Sequence, residues 1–210
     1  MERPTVILLH GLWMTGAEML VLRRRLRAQG FRTRQFHYRM VTRSLDHNSR
    51  KLQKFITDQA HEPVHLVGHS LGGVLALQTL RKFPEMPVDK VVCLGSPLID
   101  SAVGRRMLRF RVGQSVLGKT LPEAVVNQPL KEWSGRQPVG VIAGTLSAGM
   151  GRFIMTLAQP NDGLVTLEET CLPGIADHLA LPVSHTGLVL SREVAEQCGW
   201  FLRHGSFQRP

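Results

Sequence analysis

Val64-His65-Leu66-Val67-Gly68-His69-Ser70-Leu71-Gly72-Gly73 is the stretch that decides the fold. A short β-branched and apolar run ends in Gly-His-Ser-Leu-Gly, and an apolar helical pattern follows at Leu71, Val74, Leu75 and Leu80. Strand, one tight turn carrying a serine, then helix is the layout of a nucleophile elbow. Such a serine sits in an unfavourable backbone conformation so that its hydroxyl projects above the sheet edge. Side chains two residues to either side would collide at so close a strand–helix contact, which accounts for Gly68 and Gly72. The helix that starts at Leu71 aims its N-terminal N–H groups at the place where an oxyanion would form. The five-residue pattern alone is a weak signal, since an ordinary turn with an exposed serine gives the same letters. The strand and helix around it supply the specificity.

Outward from the elbow, strands alternate with helices. Thr5 to Leu9 reads as a first strand, ending at His10-Gly11-Leu12-Trp13. Thr15 and Glu18 have capping-box spacing for a helix with Met19, Leu22 and Leu26 on one face, closed by Gly30. Arg32 to Tyr38 predicts a second strand and Ser44 to about Ala60 a second helix. Beyond the elbow, Lys90 to Gly95 and Val139 to Gly144 are continuous apolar strands of the kind buried on both faces. Leu179 to Val183 is a last strand whose Pro182 marks an edge, and Ser191 caps a final helix ending at Gly205. The alternation predicts one α/β domain over residues 1–210, a mostly parallel sheet with helices on both faces. Pro97 to Pro138 fits least well; a small cap or lid within 98–136 and an ordinary pair of surface helices are equally good readings.

Three further features complete a serine hydrolase around Ser70. The loop after the first strand is placed to give a second oxyanion N–H from Leu12, beside that of Leu71, while the His10 ring holds the loop. Nine histidines compete as base. His185, between the last strand and the last helix, overhangs the C-terminal sheet edge; His178 begins the strand at the opposite edge, and His69 is inside the elbow itself. Asp162 in Asn161-Asp162-Gly163 gives the chain order Ser, Asp, His, with Asp177 as runner-up and Asp100 third. The same tripeptide would form a turn, a duty compatible with orienting a histidine. Trp13 and Met14 are candidates for the wall of an apolar acyl pocket, although either could be plain core.

Composition sets the surroundings. At 43% hydrophobic residues over 210, the chain suits one soluble domain, with no run of ~20 apolar residues to span a bilayer and no signal peptide evident. Cys93, Cys171 and Cys198 are odd in number and widely spaced, predicting reduced, mostly buried thiols, a cytoplasmic location and no zinc site. The net charge of +10 is concentrated early, 12 basic against 4 acidic residues in positions 1–60. A surface of this kind favours anionic membranes, acidic substrates or nucleic acid, but a solvated helix face is the preferred reading. With one Tyr and three Trp and no accompanying motif, nucleic acid is disfavoured as a partner.

His10-Gly11-Leu12, Gly68-His69-Ser70-Leu71-Gly72-Gly73, Pro160-Asn161-Asp162-Gly163-Leu164-Val165 and Ser184-His185-Thr186-Gly187 together resemble the α/β-hydrolase superfamily. The likeness is greatest to its small bacterial lipases and esterases and GPI-inositol-deacylase-like proteins. The resemblance implies a central parallel sheet, carboxylic-ester substrates, an acyl-enzyme on Ser70 and no cofactor. One departure is that the first strand begins almost at Met1, so the family's two N-terminal antiparallel strands should be missing, leaving a minimal version of the fold. A serine nucleophile argues against the dehalogenase and epoxide-hydrolase branches, which use aspartate. Two readings compete with ester hydrolysis: acyl transfer or thioester cleavage by the same triad, and a catalytically idle basic protein at a membrane surface. Oligomeric state is not legible.

Overall fold

The computed structural model describes residues 3–12, 14–59, 62–109, 118–120, 122–127, 129–148 and 157–209. Strands β1 (Thr5–Leu9), β2 (Arg32–Phe36), β3 (Val64–His69), β4 (Val88–Leu94), β5 (Val139–Gly144) and β6 (Asp177–Leu181) form one sheet. Their order is β2-β1-β3-β4-β5-β6, and every neighbouring pair is parallel. No antiparallel strand joins this sheet among the described residues, in keeping with the minimal α/β-hydrolase fold expected.

Two apolar layers follow from the period-two alternation of the strands. Ile7, Leu9, Leu66, Val91 and Val141 face α2 (Leu45–Gln59) and α3 (Leu71–Lys82), where Leu52, Ile56 and Leu75 meet them. Val6, Leu8, Val67, Val92 and Ile142 face α1 (Leu20–Ala28) and a C-terminal helix pair. That pair is α5 (Gly187–Leu190) and α6 (Arg192–His204), with a short α4 (Ala102–Leu108) earlier in the chain. Each of the leucines at zero exposure, such as Leu66, contributes about 1.5–3 kcal/mol by leaving water.

Topology places the site. From β1 the chain moves outward to β2, then crosses back over β1 to β3 and continues the other way to β6. The winding direction therefore reverses between β1 and β3. Loops leaving the C-terminal ends of those two strands part there and open a crevice, the place where open α/β sheets bind ligands.

Differences from the sequence expectations are local. The capping box does not form: α1 starts at Leu20 with Met19 as an N-cap lacking a side-chain bond, and both Glu18 carboxylate oxygens accept from Gly16 N–H at 3.1 Å. Gly16 has φ +96° and turns the chain between Thr15 and the helix, which puts the threonine out of capping register. β6 lies two residues earlier than expected, so Pro182 follows the strand, and β6 is an edge as foreseen. Ser191 does cap α6, accepting from Val194 N–H, and Gly205 ends it in the left-handed region at φ 80°.

Among the arginines, Arg32 and Arg34 stand exposed on edge strand β2, where charged side chains discourage pairing with another chain. With Arg3 and Arg27 they line a hollow of about 420 Å³ at the N-terminal ends of β1 and β2, the end of the sheet away from the elbow. Cys93 and Cys198 are buried and free, as expected of most of the thiols; Cys171 is exposed. No helix among the described residues is long and apolar enough to cross a membrane.

Candidate active site

Ser70 joins β3 to α3 at φ 54° and ψ −124°, the one non-glycine at positive φ among the described residues. Conformations of this kind cost about 1–3 kcal/mol, and here the neighbours enforce it. Its N–H donates to Leu94 O at 2.8 Å, fastening the turn to the end of β4. A Cβ on Gly68 would lie 2.3 Å from the Gly73 nitrogen, and one on Gly72 2.3 Å from the Leu9 carbonyl. Both glycines are required by close approach, as the sequence spacing indicated. Gly73 is tighter still, its Cβ position falling 2.1 Å from Ser96 Oγ. Leu71 opens α3, so its N–H has no carbonyl partner one helical turn back within the helix.

The loop between β1 and α1 is pinned through its carbonyls. His10 is 2% exposed; its Nδ1 donates to Gly11 O at 3.0 Å, the holding role expected of it. The Tyr38 hydroxyl donates to His10 O at 2.7 Å, and the two rings stack at 4.5 Å. Burial lowers the pKa of His10 and raises that of Tyr38, keeping both neutral. Both carbonyls that precede Leu12 are thus held by hydrogen bonds. Leu12 lines the crevice.

Asp162 divides its carboxylate between the two duties foreseen for it. Oδ1 accepts from Leu164 N–H at 2.9 Å and Val165 N–H at 2.8 Å, making the turn, while Gly163 takes φ +99°. Oδ2 accepts from His185 Nδ1 at 2.7 Å, with Asp162 at 1% and His185 at 6% exposure. The His185 N–H also donates to the Asp162 carbonyl at 2.8 Å. With Nδ1 committed to the carboxylate, His185 is left with Nε2 for the cavity.

That cavity, about 140 Å³, is bordered by Ser70 and His185 together with Gly11, Leu12 and Met14. Its other walls come from Val103, Gly104 and Met107 of α4 and from Leu164 and Val165, so the lining is mostly apolar. Thus part of the stretch suspected of forming a cap does border the site. Trp13 lies outside the described residues.

The rival residues are engaged elsewhere. Asp177 forms a two-pronged ion pair with Arg209, which together with a bond from Phe207 N–H holds its pKa low. Asp100 pairs with Arg105. His178 bonds Thr170 Oγ1 at 2.8 Å, one residue into β6. No group of three His, Cys, Asp or Glu side chains among the described residues is placed to hold a metal.

Three contributors escaped the sequence reading: Tyr38, Gly95 and Glu169. Gly95, at φ +52° just past β4, lies under the acid–base pair. A Cβ there would sit 2.9 Å from Asp162 Oδ2 and 3.2 Å from His185 Nδ1. A glycine ending a parallel strand next to the elbow strand was the available signal. Glu169, 6% exposed, accepts from Thr166 N–H at 2.8 Å and from Ala102 N–H, tying α4 to the segment that follows Asp162. Burial raises its pKa.

A doubly covered parallel sheet, a strained serine at the switch point and a buried Asp–His pair on the same crevice define a class of enzyme scaffold rather than one enzyme. The chain belongs to the alpha/beta hydrolase family, whose model matches residues 6–191. No curated protein matches it by sequence. Among solved structures it is similar to the mature lipase BlEst2 of Bacillus licheniformis: 17% identity, TM-score 0.73, 97% of this chain and 92% of that one. The pyrethroid hydrolase PytH, in complex with BIF, aligns at 16% identity and TM-score 0.63 over 96% and 98% of the two chains. The type II thioesterase BorB of the borrelidin biosynthetic cluster aligns at 16% and 0.65 over 99% and 93%. At these identities the likeness is one of fold.

Proposed function

We propose that the protein hydrolyses carboxylic esters through an acyl-enzyme on Ser70. The observation that carries this reading is the 2.7 Å bond from His185 Nδ1 to Asp162 Oδ2, which ties a buried carboxylate 23 residues away to a histidine on the cavity that Ser70 also borders. His185 Nε2 takes the Ser70 proton as Oγ attacks the ester carbonyl, and the Asp162 carboxylate stabilises the imidazolium and fixes its tautomer. The N–H groups of Leu12 and Leu71 receive the oxyanion; loss of one such donor costs ~3 kcal/mol of transition-state stabilisation. His185 returns the proton to the leaving alcohol as the carbon–oxygen bond breaks. Water then attacks the acyl group, with His185 as base, and Ser70 leaves with its proton restored.

The apolar walls from Leu12, Met14, Val103 and Met107 favour a hydrocarbon acyl group. Hydrolysis of p-nitrophenyl esters of rising chain length tests the proposal. Activity in wild type that disappears in Ser70→Ala supports it, and equal rates in the two refute it. Added alcohol, or a thioester in place of the ester, separates hydrolysis from acyl transfer and thioester cleavage by the products formed.

A further inference from the structure

His69 has zero exposure yet takes part in no step above. It ends β3, directly before Ser70, and its Nε2 donates to the main-chain carbonyl of His185 at 3.0 Å; the two ring centroids are 4.7 Å apart. A carbonyl partner fixes the proton on Nε2. Burial pushes His69 down to about 3, helped by the neighbouring His185, so the ring stays a neutral donor. Its other edge faces the oxyanion loop, since a Cβ on Gly11 would lie 3.2 Å from His69 Nδ1.

Two other hydrogen bonds hold His185, and both end on Asp162: N–H to the Asp162 carbonyl, and Nδ1 to Oδ2. The two residues are therefore held to each other at two points. Among the described hydrogen bonds of His185, the one from His69 runs to the strand that carries Ser70. We propose that His69 is a positioning residue that sets the separation between the Ser70 hydroxyl and the His185 imidazole by fastening the His185 main chain to the elbow. The inference rests on the assignment of Ser70 and His185 as nucleophile and base. A purely space-filling role fits less well. His69 Nδ1 is buried with no hydrogen-bond partner, a cost that an apolar side chain of similar volume would avoid.

The consequence is specific. Without this bond the Asp162–His185 pair stays intact but drifts relative to Ser70, so proton transfer suffers while the Asp162 bond to the imidazole is kept. In His69→Leu, kcat for p-nitrophenyl esters is expected to fall about 10- to 100-fold with KM within about threefold of wild type. The acid limb of the pH–rate profile stays in place. His69→Gln retains an N–H at similar reach and recovers most of kcat. His69→Asn, one bond shorter, does not, and the Asn–Gln comparison carries the test should the leucine variant fail to fold. A folded His69→Leu, or His69→Asn, with wild-type kcat overturns the inference, as does a loss of activity that moves the acid limb along with kcat. Wild type that neither hydrolyses esters nor takes up a fluorophosphonate at Ser70 instead overturns the functional reading, so the two failures are distinguishable.

Discussion

Removing one oxygen from the support of the loop proposed to carry an oxyanion donor, in Tyr38→Phe, gives the most direct measure of how far that loop depends on its scaffold. The hydroxyl is buried and donates to His10 O at 2.7 Å, while the ring stacks on His10 at 4.5 Å and on Phe36 at 5.4 Å. Phenylalanine keeps both stacks and deletes the bond. A net hydrogen bond is worth about 0.5–1.5 kcal/mol, and a buried carbonyl left without a partner costs about 1–3 kcal/mol, so global stability should fall by about 1–2 kcal/mol. For catalysis the lower bound comes from the loop's own equilibrium. About 1 kcal/mol taken from the correct conformer multiplies the population of wrong ones about fivefold. The upper bound is complete loss of one oxyanion donor, about 10²–10³ in kcat. The second tether, from the His10 ring to Gly11 O at 3.0 Å, remains and keeps the outcome below that bound.

Tyr38→Phe is therefore expected to lower kcat about 5- to 100-fold with KM nearly unchanged, because the donor acts on charge that develops only in the transition state. Urea unfolding followed by fluorescence gives the stability term, and p-nitrophenyl ester hydrolysis the kinetic one. A variant destabilised as stated but with wild-type kcat would refute the reasoning, since the bond would then hold the fold and not the loop geometry.

Asp162→Asn preserves a side-chain oxygen for the turn to Leu164 and Val165 but sets an amide against His185 Nδ1. The wrong tautomer follows, and kcat should drop by about 10⁴ with an unchanged melting temperature. Gly95→Ala places a methyl 2.6 Å from Leu188 Cδ1 and 2.9 Å from Asp162 Oδ2 at φ +52°, so a stability loss of at least about 1–2 kcal/mol should accompany at least a tenfold loss of kcat, read by thermal melting and ester assay. Burial also makes the fold acid-sensitive. His65 and His69 are pushed down to about 4 and about 3, mainly by desolvation, against an unfolded value of 6.5. The unfolded chain binds the extra protons, so this stability is full above pH ~6.5 and is lost as pH falls towards 4, with a limiting slope of about 2.7 kcal/mol per pH unit for two groups. Urea midpoints between pH 7 and 4 should show it, and His69→Gln should lower the slope by one group's share, about 1.4 kcal/mol per pH unit; a flat profile would contradict the burial of both rings.

Which parts were legible in the sequence follows from how local each signal is. The elbow could be read because strand, turn and helix constraints fall within ten consecutive residues, and Gly68 and Gly72 are demanded by atoms of that same unit and of β1. Asp162 and His185 were accessible because each lies in a loop of recognisable chemistry at the C-terminal end of a readable strand. The capping box at Thr15 misled because its spacing is a helix signal only if no residue between cap and helix takes positive φ, and Gly16 does. Tyr38, Gly95 and Glu169 were hidden for a different reason. Each acts on a partner distant in the chain, 28 residues away for Tyr38 and His10 and 67 for Glu169 and Ala102, and none carries a pattern within its own segment. His69 shows the limit most clearly. Its place inside the elbow removed it as a base by local geometry alone. Its bond to a carbonyl 116 residues away exists only once β3 and the loop before α5 meet at the sheet rim. Residues that do chemistry can therefore be sought by type and spacing, whereas those that hold the chemistry in register become visible only through tertiary contacts.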